Sequence, residues 1–198
     1  MAEGVFCERA RRLSLTTLLL MAACAGPLRP VQGPEVPLPD APPGTGSTAG
    51  DPGRGAVLAA SYAFTQPARL RGNPAGAARA VAQLEWMAAS LPFDPYWISA
   101  SPMAFQQLAL ARDEVRAALG LALDAPPHLL AAALGRAAMA LDRNNRAAAA
   151  DALAPFAPGG GAGVLTGLDA LPRLPRAAEA TSFAEREMMR LAQDDPLS

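Results

Sequence analysis

From Arg54 onward, apolar positions recur at intervals of three and four, and proline, glycine and asparagine cut the pattern into helix-length pieces. Arg54 to Thr65 predicts a first helix, stopped by Pro67. Asn73-Pro74 sets a capping side chain before a proline at the first turn, a strong helix start. Ala77, Val81, Leu84, Ala88 and Leu91 then form one apolar stripe, ended by Pro92. Ser101-Pro102 repeats that start; Ala104, Leu108, Ala111, Val115 and Leu119 carry the stripe and Gly120 the stop. A fourth helix begins after Pro126-Pro127 and uses Leu130, Leu134, Ala137 and Leu141. The polar turn Asp142-Arg143-Asn144-Asn145 leads to a fifth helix that runs to about Phe156. Pro158 to Gly163 reads as a flexible loop, and Val164 to Leu171 as one or two helical turns. The last helix, roughly Arg176 to Gln193, carries Ala177, Ala180, Phe183, Ala184, Met188 and Leu191. No stretch alternates with period two long enough to read as a strand. The expected fold is all-α, a small bundle of five to seven short helices over residues 54–195.

Composition sharpens this picture. Apolar residues make up 51% of the 198-residue chain and charged residues 18%, enough for one domain with a core. Alanine is abundant and aromatics are only 5%, which favours helices that approach closely. Every basic residue is Arg, the mark of a GC-rich genome rather than of a function. A net charge of -1 leaves no polybasic footprint for nucleic acid. Leu134-Gly135, Ala147 and Ala154 fall where a tetratricopeptide-type hairpin places Leu, Gly and its two Ala. Ala138 and Asp151 stand where that repeat needs aromatics, and no second copy follows, so an ordinary helical hairpin is expected.

Before Arg54 the pattern changes twice. Residues 24–53 are dense in Pro and Gly with almost no apolar periodicity, and read as a disordered tether. A flexible coil of that length would span roughly 30 Å, and a polyproline II segment about 90 Å. Residues 1–12 carry Arg9, Arg11 and Arg12 against Glu3 and Glu8. Leu13 to Ala23 is apolar, but a bilayer-spanning helix needs roughly 20 residues, so the segment suits the apolar region of a secretory signal. Arg11-Arg12 is followed by Leu13-Ser14-Leu15, a poor fit to a twin-arginine signal.

Met21-Ala22-Ala23-Cys24 closes that stretch and resembles the lipobox of bacterial lipoproteins: an aliphatic residue, two small residues and Cys. The likeness covers only the first 26 or so residues, and Met21 stands where Leu is usual. It implies diacylglyceryl attachment to the Cys24 thiol, cleavage before it, and acylation of the new amino group. Residues 1–23 are then a signal peptide and Cys24 is the site of lipidation. Two or three acyl chains anchor a protein stably where one holds only marginally. Processing discards Cys7 and occupies Cys24, leaving no thiol for a disulfide, and makes the mature chain one charge more negative. Ala25, rather than Asp, follows the Cys; in Gram-negative lipoproteins this implies outer rather than inner membrane. A plain secretory signal is the alternative.

The folded part offers few parts for chemistry. His128 is the sole His, and no cysteine remains to it, so zinc sites and Ser-His or Cys-His catalysis lack their residues. No cofactor or metal is expected. Gly159-Gly160-Gly161 reads as a flexible loop rather than a phosphate cradle. Glu85, beside Trp86, is the best-placed acid for a lytic glycan-cleaving enzyme, since an apolar neighbour raises a carboxyl pKa. The other motifs of that family are absent, and pairing with Arg79, Arg112 or Arg116 on a helix surface is the simpler expectation.

Trp86, Phe93, Tyr96 and Trp97 fall within twelve residues of a chain that holds ten aromatics. They either plug one end of an alanine-built core or form an apolar ledge for a sugar ring, acyl chain or partner helix. Arg112 and Arg116 share a face of the next helix, as anion ligands or as partners of Asp113 and Glu85. Glu185, Arg186, Glu187 and Arg190 read as a solvated, ion-paired face. The expectation is a non-enzymatic, lipid-anchored helical module of the Gram-negative envelope. It would be a structural or adaptor component that meets envelope protein or glycan partners through Trp86, Phe93, Tyr96, Trp97, Arg112 and Arg116. The alternative is a carrier of a small apolar ligand or glycan, with its cavity lined by the aromatic cluster.

Overall fold

Proline opens five of the helices, where its missing N–H costs nothing and its fixed φ favours the first turn. The computed structural model describes residues 52–194, which fall in one unit of the chain. Its helices are α1 (Pro52–Thr65), α2 (Pro74–Ser90), α3 (Pro102–Leu119), α4 (Pro127–Asp142), α5 (Arg146–Leu153), α6 (Gly161–Asp169) and α7 (Pro175–Asp194). Short 3-10 turns cover Pro67–Arg69, Leu91–Phe93, Pro95–Trp97 and Ala154–Phe156. Among the described residues there is no strand, and the architecture is the expected all-α bundle. No described helix is long and apolar enough to cross a membrane. The leader, Cys24 and the Pro/Gly-rich stretch before α1 lie outside the described residues.

Helix α2 is the axis of the bundle. It packs against α1, α3, α4 and α6, most extensively against α4. The single stripe expected from its periodicity is therefore too narrow. Every residue from Ala80 to Met87 is buried, Gln83 and Glu85 included. A helix enclosed on all sides must bury its polar positions too. Alanine makes the enclosure feasible: Ala77, Ala78, Ala82, Ala133, Ala137 and Ala138 are all fully covered on the α2 and α4 surfaces. Helix α7 closes the bundle against α1 and α3, while α5 packs on α4 and α6.

The helix ends show where local chemistry acted. Asn73 Oδ1 accepts from the Gly76 amide at 2.9 Å, and Asn145 Oδ1 from the Ala148 amide at 3.0 Å. Gly120 ends α3 in the left-handed conformation, φ 66°, as its position suggested. Ser101 departs from expectation: its side chain makes no cap bond, and its backbone N–H donates instead to Glu187 of α7 at 2.9 Å. A tertiary carboxylate replaces the local cap.

The stretch expected to be a flexible loop, 158–163, is also corrected. Helix α6 begins at Gly161 and runs to Asp169. A Cβ on Gly161 would collide with the Ala150 carbonyl of α5, so this glycine permits two helices to cross in contact rather than loosening the chain. The fifth helix ends at Leu153 and tightens into the 3-10 turn Ala154–Phe156. Helices α4 and α5 form a hairpin.

Candidate functional site

Of the residues singled out from the sequence, Glu85 meets Arg116 and Tyr96 meets Trp97, but the set does not converge on one site. Glu85, on the buried waist of α2, faces Arg116 of α3, and each side chain is 1% exposed. Arg116 Nε donates to Glu85 Oε1 at 2.7 Å and Nη2 donates to Oε2 at 2.6 Å, a parallel fork. Arg116 Nη1 donates to the Leu123 carbonyl at 2.7 Å, which ties the α3–α4 connection to the same pair. Burial pushes the Glu85 carboxyl above its ordinary pKa, against the opposing pull of Arg116 and of Arg112 one turn away. The surface pairing expected for Glu85 is thus corrected: the partner is Arg116, but the pair is interior. Both carboxylate oxygens are occupied by the guanidinium and the group is closed to solvent, so it has no access to a substrate.

Arg112 does not join the fork. Its nearest acid is Asp113, at 3.6 Å, beyond hydrogen-bond range. Arg112 is partly exposed and Arg116 buried, so the two do not form an anion site on a common exposed face.

The aromatic cluster proposed as a cavity lining is not formed. Trp86 is 3% exposed and Trp97 1%, both inside the core, whereas Phe93 is 74% exposed. Tyr96 and Trp97 form a ring pair, edge to face, with centroids 6.1 Å apart and planes at 74°. The half-buried Tyr96 hydroxyl donates to the Met188 carbonyl of α7 at 3.3 Å. Two 3-10 turns, the second capped by Asp94 Oδ1 accepting from the Tyr96 amide, send successive rings in different directions. The Trp97 Nε1 and Ser90 Oγ atoms are buried with no hydrogen-bond partner.

The open concavities lie elsewhere. One of about 450 Å³ is lined by Thr65, Gln107, Glu179, Ser182, Phe183 and Arg186. Another, of about 680 Å³, is lined by Leu58, Ser61, Tyr62, Thr65 and Glu185. The first lies where α1, α3 and α7 meet, and the second follows the seam between α1 and α7, which Ser61 Oγ bridges by donating to Glu185 Oε2. Arg69 stacks over the Tyr62 ring at 5.4 Å and Arg186 over Phe183 at 5.5 Å. The expected solvated, ion-paired face of α7 is ion-paired, with Arg186 and Arg190 exposed, and its two glutamates also tie neighbouring elements. Glu185 holds α1, and Glu187 accepts from Ser101 and pairs with Arg190 at 3.0 Å. Those bonds hold the Glu187 carboxyl below the usual range. His128 is exposed in the first turn of α4. Among the described residues, no three of His, Cys, Asp or Glu converge as a metal site.

Sequence reasoning missed one surface feature. Ile98 is 86% exposed and joins Phe93, Met103 and Met189 as large apolar side chains in water at one end of the bundle. A lone Ile between Trp97 and Ser99 carries no periodicity that would reveal it. No protein-family model, curated protein or solved structure matches this chain.

Proposed function

We propose that this protein is a lipid-anchored helical module of the bacterial cell envelope, structural or adaptor in role and non-enzymatic. The observation that carries the reading is Met21-Ala22-Ala23-Cys24 at the end of a short apolar run, followed by a Pro/Gly-rich stretch. Acylation of Cys24 would hold the module on a membrane, and the residue after it, Ala25, favours the outer membrane of a Gram-negative cell. The closed interior is consistent with a module that works through its surface. Among the described residues the one buried acid, Glu85, is sealed by Arg116. The test is mass spectrometry of the native protein together with fractionation of Cys24→Ser. A mature chain that begins at Cys24 with added fatty acyl mass, and a Cys24→Ser variant depleted from the membrane fraction, are expected. An unmodified Cys24 overturns the reading.

A further inference from the structure

Helix directions place one apolar end of the bundle beside the point where the chain enters it. Ser61 in the middle of α1 bonds to Glu185 of α7, while Thr65 lines the concavity that also holds Ser182 and Glu179. The two helices therefore run antiparallel, and Pro52 lies toward the last turns of α7. Those turns are bound to the α2–α3 connection: Tyr96 to the Met188 carbonyl, Ser101 N–H to Glu187, and Arg190 Nη2 to the Ser99 carbonyl at 2.9 Å. Phe93 (74% exposed), Ile98 (86%), Met103 (50%) and Met189 (41%) thus project at the end where α1 begins, at Pro52.

We propose that this end docks on a lipid bilayer, with Phe93 and Ile98 inserted at the level of the headgroups. The proposal rests on the lipid-anchor reading for what brings the bundle to the surface. The chain joins Cys24 to the apolar end and not to the opposite one, so acylation there would concentrate this end at the bilayer. The segment suits shallow insertion. Pro92, Pro95 and Pro102 and the Asp94 cap hold it in place, so little chain entropy is lost on contact. Its charges are already satisfied. Arg190 pairs with Glu187 and with Asp194 at 2.8 Å, and Asp94 accepts from the Tyr96 amide. Attraction is then apolar rather than electrostatic, and it responds weakly to salt.

The test uses the acylated protein expressed with Cys7→Ser, so that with Cys24 acylated an introduced cysteine is the only thiol whether or not the leader is removed. An environment-sensitive fluorophore is placed at Ile98→Cys or, as a control at the opposite end, at Arg173→Cys. The protein is reconstituted on vesicles of phosphatidylethanolamine and phosphatidylglycerol, with and without acyl-chain spin labels. Docking gives a blue-shifted emission at position 98, quenched several-fold more strongly by the spin-labelled chains than at position 173, and unchanged in high salt. An aqueous spectrum at both positions overturns the proposal. So does a blue shift at 98 without lipid quenching, which means that a second copy or another segment of this chain covers the end. Equal quenching at both positions overturns it as well. The mass of Cys24, read on the same sample, separates the two hypotheses. With acyl groups present and the 98 probe in water, docking fails and the anchor stands. With acyl groups absent, the anchor fails, and the probes are read on a Cys24→Ser chain mixed with the same vesicles. Selective quenching at 98 then supports docking, and its loss overturns it.

Discussion

The Glu85 carboxylate receives two parallel N–H bonds from Arg116, 31 residues later in the chain, and neither side chain is more than 1% exposed. Desolvating both ions is costly, and the fork together with the Leu123 carbonyl offsets that cost only while every partner is present. Arg116→Ala leaves a buried carboxylate and a carbonyl without donors, and is expected to lower unfolding stability by about 3–5 kcal/mol. The double replacement Glu85→Leu with Arg116→Met removes both charges and keeps the volume, and should cost less than Arg116→Ala alone. Urea unfolding of the variants measures this; a double variant weaker than the single would show that the ions stabilise the fold on balance.

Glycine at the α5–α6 crossing gives a paired prediction. Gly161→Ala drives a methyl into the Ala150 carbonyl, and should destabilise by about 1–3 kcal/mol. Gly163, two residues further along α6, has nothing within 4 Å of an added Cβ. Gly163→Ala should be neutral or stabilising by up to about 1 kcal/mol, because it restricts the unfolded chain. Thermal melts of the two variants distinguish a close crossing from a loose loop, in which they would behave alike.

The two helix starts that look equivalent in sequence should respond differently. Asn73→Ala removes a cap bond and is expected to cost about 1 kcal/mol. Ser101→Ala should fall within about 0.5 kcal/mol of the native protein, since the bond there is made by its backbone N–H. Denaturant midpoints at constant slope report both values.

Acid response separates two glutamates of opposite sign. The bonds from Arg190 and the Ser101 amide lower the folded pKa of Glu187 from 4.5. Its contribution is therefore present above the unfolded value and lost as pH falls through the folded one. Glu85 is raised from 4.5, so its contribution is present at low pH and declines as pH rises from the unfolded toward the folded value. Glu187→Gln should lower stability at neutral pH and flatten the acid limb. Glu85→Gln should remove the opposing slope. Urea midpoints followed from about pH 3 to 7 test both signs.

Helix existence was legible because it rests on local information. Proline at the first turn, Asn73 as a cap, the polar turn at 142–145 and Gly120 as a stop act within a few residues of where they stand. The terminus of α6 was not legible: the reason for Gly161 lies at Ala150, in another helix. Ser101 resembled Asn73 in sequence, and only the arrival of Glu187 from α7 decides which of its atoms is bonded. The aromatic run offered a count of rings but not their directions. Two 3-10 turns bury Trp97 and leave Phe93 in water.

The sequence by itself determined an all-helical fold from about Arg54 onward, the approximate extent of its helices, and a cysteine in a lipobox-like setting, because propensity, capping and short motifs are properties of neighbours along the chain. Only the tertiary structure decided that α2 is enclosed on every side, that Glu85 and Arg116 are an interior pair, and that Ile98 and Phe93 emerge at the end where the chain enters. Burial depends on which surfaces the other helices cover, and that is a relation between distant residues that no local pattern encodes.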